Sequence, residues 1–176
     1  MNSLFMTILF SAFWHSQSIN NDTVVQRLII PLDHTFKSIK IYNDILVYVA
    51  EGEKNEIIVK DEAVANVIKF KVDEGVLIIH CKNSIFSNKN PNKITIRVKD
   101  IHAIAIMDDA EVRTIGELSD QKLKLEIFGD GAIYANTRAT EVTTFIKGLG
   151  KIEVRGNFKN TCVNKDAYGN MITTYN

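Results

Sequence analysis

The sequence predicts an all-β fold, a right-handed parallel β-helix or solenoid with rungs of about 19–21 residues, its N-terminal strands continuing or capping the coil. Three observations carry this expectation. Four segments, Ile104–Thr114, Leu125–Ala135, Thr144–Val154 and Val163–Thr173, align without internal gaps, the first step being 21 residues and the next two 19 each. Apolar columns run through the alignment: Val112, Ile133, Ile152 and Met171 in one, Ile106, Ile127, Ile146 and Lys165 in another. A further column is small throughout, with Ala110, Gly131, Gly150 and Gly169. A fixed period near twenty with such columns in register marks stacked units.

Within a unit the pattern is that of strands. Leu125 and Ile127 alternate with Lys124 and Glu126, the period of two that a half-buried strand requires. Gly129-Asp130-Gly131 interrupts the run, and Ile133 and Ala135 resume it beyond the turn. Dense β-branched residues and a recurrent glycine column argue against helix. One unit cannot bury its apolar face alone, whereas equivalent units stacked about 4.8 Å apart can. An antiparallel sandwich of evenly spaced strands is the alternative, and the gapless columns favour the coil.

Along the chain, Met1–Ser18 reads as a secretion signal (residues 1–18). Leu4–Trp14 is apolar except for Thr7 and Ser11, and His15-Ser16-Gln17-Ser18 offers a small-x-small site with cleavage after Ser18. The run is too short for a membrane-spanning helix. Residues 19–35 form an N-terminal arm in which Val24–Ile30 reads as an edge strand ended by Pro31. A single domain is expected over 36–176. It opens with Phe36, Ile39 and Ile41, then Ile45, Val47 and Val49, two strands around Tyr42-Asn43-Asp44. Glu56–Lys60 is a third strand, and Asp61–Asn66 one helical turn capped by Asp61. Val67–Val72 and Val76–Cys81 flank Asp73-Glu74-Gly75, a hairpin signal. Asn83–Asn92 is a polar loop, and Lys93–Lys99 starts the strand series that leads into the aligned segments.

Composition narrows the function classes. Lys plus Arg balance Asp plus Glu at 21 each, so no basic excess exists to bind nucleic acid or an anionic bilayer. His34, His80 and His102 stand at no metal-ligand spacing from one another, so no metal site is expected. No nucleophile motif surrounds Cys81 or Cys162. Cys81 ends an apolar strand and reads as a buried free thiol, while its pairing with Cys162 is left open. In the coil, Asp109 and Asp130 meet at one corner with Asp108 beside them. Such carboxylates suggest a weak Ca²⁺ site or a glycan-cleaving site, against the plainer reading that aspartates are turn residues facing water. Tyr134 aligns with Arg113, Glu153 and Ile172 on the face opposite Ile133, and Tyr48, Tyr168 and Tyr175 are further outward candidates for glycan or protein contact.

Several of these segments carry a family resemblance. Phe36-Lys37-Ser38-Ile39-Lys40-Ile41 with Ile45-Leu46-Val47-Tyr48-Val49-Ala50-Glu51-Gly52 resembles the opening of the bacterial head-GIN (auto-transporter adhesin) domain. Val72-Asp73-Glu74-Gly75-Val76-Leu77-Ile78-Ile79 resembles its next step, and Ile94-Thr95-Ile96-Arg97-Val98 with Ile101 and Ile104 its following strand pair. Gly129-Asp130-Gly131 and Gly148-Leu149-Gly150 match its G-x-G turns, whereas Asp108-Asp109-Ala110 and Ala167-Tyr168-Gly169 depart from them. The resemblance covers Phe36 to Gly156 and implies an exported, β-helical envelope protein without established enzymatic activity.

The expectation is therefore a non-catalytic, exported cell-envelope module with an adhesin-like binding or structural role, in the periplasm, on the outer-membrane surface or outside the cell. It carries no catalytic, cofactor-binding or metal-binding residues and no cofactor. Its candidate partners are a surface glycan or protein, and a second copy through the C-terminal strand edge. The alternatives are a glycan-active enzyme using carboxylates near Asp109 and Asp130, or a self-stacking assembly element.

Overall fold

Alternation of apolar and polar residues produces strands from Leu28 onward in the computed structural model, which describes residues 27–82, 92–165 and 170–175. The signal-like run Met1–Ser18 and most of the Asn83–Asn92 loop lie outside the described residues. The first strands are β1 (Leu28–Pro31), β2 (Ser38–Tyr42), β3 (Leu46–Glu51) and β4 (Glu56–Val59), followed by α1 (Glu62–Val67), β5 (Ile68–Asp73) and β6 (Val76–Cys81). Next come β7 (Lys93–Val98), β8 (Ala103–Ile106), β9 (Glu111–Ile115), β10 (Lys122–Ile127) and β11 (Ala132–Thr137). The last are β12 (Glu141–Ile146), β13 (Lys151–Gly156), β14 (Asn160–Lys165) and β15 (Asn170–Tyr175).

These strands form two mixed sheets. The larger has eight strands in the order β1-β4-β7-β3-β9-β11-β13-β15, and the smaller has seven in the order β14-β12-β10-β8-β2-β6-β5. Inward side chains of both sheets, among them Ile39, Ile41, Val47, Val49, Leu77, Ile104, Ile127, Ile133 and Ile152, form one buried core. Each of these is at most 1 % exposed, so the side chains that alternate with them face outward.

The expected right-handed parallel β-helix with rungs of about 19–21 residues is corrected by this arrangement. The sheets are mixed: β1–β4, β4–β7 and β5–β6 pair antiparallel. The N-terminal strands neither continue a coil in sequence order nor only cap it. β3 lies between β7 and β9, and β2 lies between β6 and β8. The chain lays down β2 and β3, builds β4 to β7 on one side of them, and then crosses to place β8 and β9 on the other. The reason is local chemistry. Glu74 and Gly75, at φ 48 and 77, make a tight reversal that folds β5 back on β6, and Pro31 confines β1 to an edge. The period of the later segments cannot report where such earlier strands dock.

Among the later strands pairing is parallel. Ile133 pairs in register with Val112 and with Ile152, and Leu125 with Ile104 and with Thr144. The small column has a steric cause at these corners. A Cβ on Gly131 would sit 2.4 Å from the Ala110 carbonyl oxygen and 2.8 Å from Ile106 Cγ2. One on Gly150 would meet Ile127 Cγ2 at 2.6 Å. Backbones of successive turns therefore touch directly, which any larger residue prevents. The helical turn α1 begins as its cap predicts, with Asp61 Oδ1 accepting from the Ala63 amide at 2.8 Å. Among the described residues no helix is long and apolar enough to cross a membrane.

Candidate functional site: the outer face of the larger sheet

The register of β9, β11 and β13 places Arg113, Tyr134 and Glu153 side by side on the outward face, with Tyr48 of β3 beside Arg113. Arg113 Nε donates to Glu111 Oε1, and its guanidinium carbon lies 4.7 Å from the Tyr134 ring centroid. Lys151 Nζ lies 5.0 Å from the same centroid. β9 and β13 flank β11, so the ring stands between two cations. Lys151 Nζ donates to Glu153 Oε2 at 3.0 Å, and Arg155 donates through Nε and Nη2 to Glu153 Oε1 at 3.1 and 2.7 Å. These bonds from Lys151 and Arg155 hold the Glu153 carboxyl below its ordinary range. The bond from Glu111 is the first cause that keeps Arg113 firmly protonated.

A shallow depression of about 220 Å³ opens here, lined by Arg113, Thr114, Tyr134, Ala135, Asn136, Glu153 and Arg155. A two-residue insertion lies beside it. Arg113 pairs with Tyr134, 21 residues on, but the next bridge joins Leu118 to Thr137, 19 residues on. Two extra residues thus bulge from the chain between Arg113 and Leu118, where Gly116 takes φ 76. The ladder opens at the bulge. The Asn136 amide donates to the Thr114 side-chain oxygen at 2.8 Å. Ser119 Oγ, just past the bulge, donates to the Glu51 carboxylate at 2.7 and 2.8 Å, which ties the chain there back to β3. Ile115 is left 52 % exposed beside it.

The carboxylate corner singled out in the sequence is arranged differently. Asp108 Oδ2 accepts from the Asn43 amide at 2.8 Å, and Asp130 Oδ1 accepts from the Leu149 amide at 3.0 Å. Each aspartate ties its own turn to a turn of a neighbouring layer. Asp109 is exposed on the same corner. Among the described residues no group of three or more His, Cys, Asp or Glu side chains could hold a metal.

The histidines are dispersed. His80 stacks on Tyr42 with centroids 4.3 Å apart, and His102 Nε2 lies 2.9 Å from Asp120 Oδ2. His34 is exposed ahead of β2. Cys81 is a buried free thiol that accepts from Asn92 Nδ2 at 3.4 Å, and burial pushes its pKa up. Cys162 lies on β14, five strand spacings from β6 in the smaller sheet. At about 4.8 Å per spacing that is roughly 24 Å, far beyond the ~4.4–6.8 Å a disulfide spans. Tyr48 and Tyr134 face outward but half-buried, while Tyr168 and the Tyr175 side chain lie outside the described residues.

Sequence reasoning found the row of Arg113, Tyr134 and Glu153 but neither the depression nor the bulge beside it. The signal for the bulge was present in the unequal steps of 21 and 19 residues. A step longer by two means an insertion, and an insertion in a paired strand must bulge.

Two solved structures share the architecture, both from Parabacteroides distasonis. One, described as a "putative adhesin", is 16 % identical with a TM-score of 0.51, the match covering 85 % of this chain and 76 % of that one. The other, described as a "putative lipid binding protein", is 12 % identical with a TM-score of 0.54, the match covering 80 % and 68 %. At these identities the likeness shows the fold alone. No curated protein matches the sequence. The family described as "Putative auto-transporter adhesin, head GIN domain" matches residues 35–172, and over that span the chain belongs to the head GIN domain family.

Proposed function

We propose that this chain is a non-catalytic binding module exported to the cell envelope, and that it engages a surface glycan or protein through the outer face of the larger sheet. The depression beside Arg113 and Tyr134 carries this reading. It lies on paired strands whose opposite faces are locked in the core, and its arginines are oriented by their bonds to Glu111 and Glu153, so the face is largely arranged before any ligand arrives. Family membership, with its adhesin-like name, supports a binding role. The apolar run Met1–Ser18 supports export. The engagement of Asp108 and Asp130 with turn amides weighs against a carboxylate pair poised for glycan cleavage.

The test is a screen of glycans and envelope proteins against the whole chain and against Tyr134→Ala and Arg155→Ala. The expected result is a binder that both variants lose while melting stays close to the parent. Binding that neither variant changes would remove the face from the account, and release of reducing ends from any glycan would end the non-catalytic reading. N-terminal sequencing of protein recovered from the envelope tests export: the expected start is Ile19, and an intact Met1 contradicts it.

A second reading rests on a separate observation. Among the described residues nothing pairs with the outer edges of β14 and β15, so a second copy could add strands there.

A further inference from the structure

Resting on the binding role proposed above, we infer that the depression beside Arg113 and Tyr134 takes a carboxylate-bearing sugar unit of an acidic polysaccharide. The first ground is the excess of donors. A guanidinium offers five N–H groups. Arg113 uses Nε on Glu111, and Arg155 uses Nε and Nη2 on Glu153. Both side chains remain about half exposed, at 49 % and 60 %. Their remaining N–H groups suit a carboxylate, which a planar guanidinium grips through two parallel bonds. The hydroxyl of Thr114 accepts from the Asn136 amide and keeps its own proton to donate.

The second ground is charge. Two guanidiniums line the depression against one carboxylate. That carboxylate, Glu153, has both oxygens engaged by Lys151 and Arg155. With Glu111 on Arg113 and Lys151 on Glu153 counted, three cations stand against two carboxylates, so an incoming anion meets a net positive charge.

The third ground decides between acidic and neutral sugars. A neutral sugar is usually gripped by stacking its apolar face on a free aromatic ring. Arg113 and Lys151 already lie over the Tyr134 ring at 4.7 and 5.0 Å, so a neutral sugar would have to displace a cation to stack on it. The side chain of Ala135 is turned into the core, so it adds only backbone to the lining and no aliphatic wall is left for an acyl chain, which disfavours an anionic lipid.

Size then sets how much is held. The volume of about 220 Å³ falls below the ~300–1,000 Å³ of pockets that enclose whole small molecules. One saccharide unit of a longer chain fits an open depression of this kind, with neighbouring units running over the sheet.

The test uses the whole chain with oligogalacturonate and with the same oligomer fully methyl-esterified, read by titration calorimetry. The acid form should bind and the ester should bind much more weakly. Arg155→Gln and Arg113→Gln should each weaken acid binding by about tenfold or more, the loss of one charge-assisted bond. Lys147→Gln removes an exposed turn cation away from the depression and should leave affinity unchanged. Two arginine variants guard against one failing to fold, and melting of each is compared with the parent. Equal binding of acid and ester, lost in Arg155→Gln, overturns the acidic class while leaving the binding face intact. An equal loss in Lys147→Gln overturns it in favour of diffuse charge attraction. Tighter, Arg155-dependent binding to phosphatidylglycerol vesicles overturns it in favour of lipid. Absence of binding to either oligomer also overturns it, and the broader reading then stands or falls on the screen with Tyr134→Ala.

Discussion

Ile133 shows how little freedom a single inward residue has. It is fully buried, paired in register with Val112 on one side and Ile152 on the other. Ile133→Asp would place a charge there without a partner and should cost at least about 3 kcal/mol. Leu149 sits at a turn and is 66 % exposed, so Leu149→Asp should cost far less, even with the Asp130 carboxylate on its amide. Urea midpoints of the two variants check this, and equal losses would contradict the assignment of inward and outward positions. Glu153 makes a different prediction, because its charge is stabilised by Lys151 and Arg155 in the folded state. A carboxyl lowered by folding adds stability above its unfolded range, near pH 4.3, and that stability drains away as pH falls through the lower folded value. The difference in melting temperature between the parent and Glu153→Gln should thus be present at pH 6 and shrink below about pH 4. A difference that grows on acidification would reverse the sign and refute the linkage.

At the scale of elements, the bulge after Arg113 has its own test. Thr114 Oγ1 accepts the Asn136 amide, a bond that an unbroken ladder would supply from the backbone. Thr114→Val keeps shape and removes the acceptor. It should cost about 0.5–1.5 kcal/mol and speed hydrogen exchange at the Asn136 amide, measured by denaturant melts and by exchange. An unchanged exchange rate would show that the bond contributes nothing. The bulge also marks where the sequence stops being legible. Strand positions, the Glu74–Gly75 reversal and the Asp61 cap can be read directly, because alternation, turn residues and caps act over a few neighbours. The register of Val112, Ile133 and Ile152 can be read because equal apolar columns stack. The docking of β2 and β3 between earlier and later strands cannot. β2 and β3 show the same inward pattern whichever neighbours they take, so periodicity alone does not choose between continuing a coil and interleaving. The bulge beside the depression escapes for a related reason: a two-residue excess is visible in the sequence, but which residues bulge outward depends on where pairing resumes, at Leu118 and Thr137.

On the scale of the whole molecule, the two ends of the sheets are built unequally. At one end the edges are β1, which contains Pro31, and β5, whose outward residues are Lys69, Lys71 and Asp73. Proline and charge are the usual means of stopping an edge from recruiting another strand. At the other end are β14 and β15, six residues each, both parallel to their inner neighbours. The Asn170 amide donates inward, to the Gly150 carbonyl at 3.0 Å. N–H groups alternate in direction along a strand, so the amides of Met171, Thr173 and Tyr175 point away from β13 and have no partner strand. This end is the one that should self-associate. Light scattering of the 176-residue chain at rising concentration should give a mean mass that climbs above 19.9 kDa. Thr173→Pro removes one outward amide and none of the inward bonds, which is where an edge strand tolerates proline. It should lower the association while changing the melting temperature little. A strict monomer at every concentration would leave the edge without a role, and association that Thr173→Pro does not weaken would move the contact to another surface.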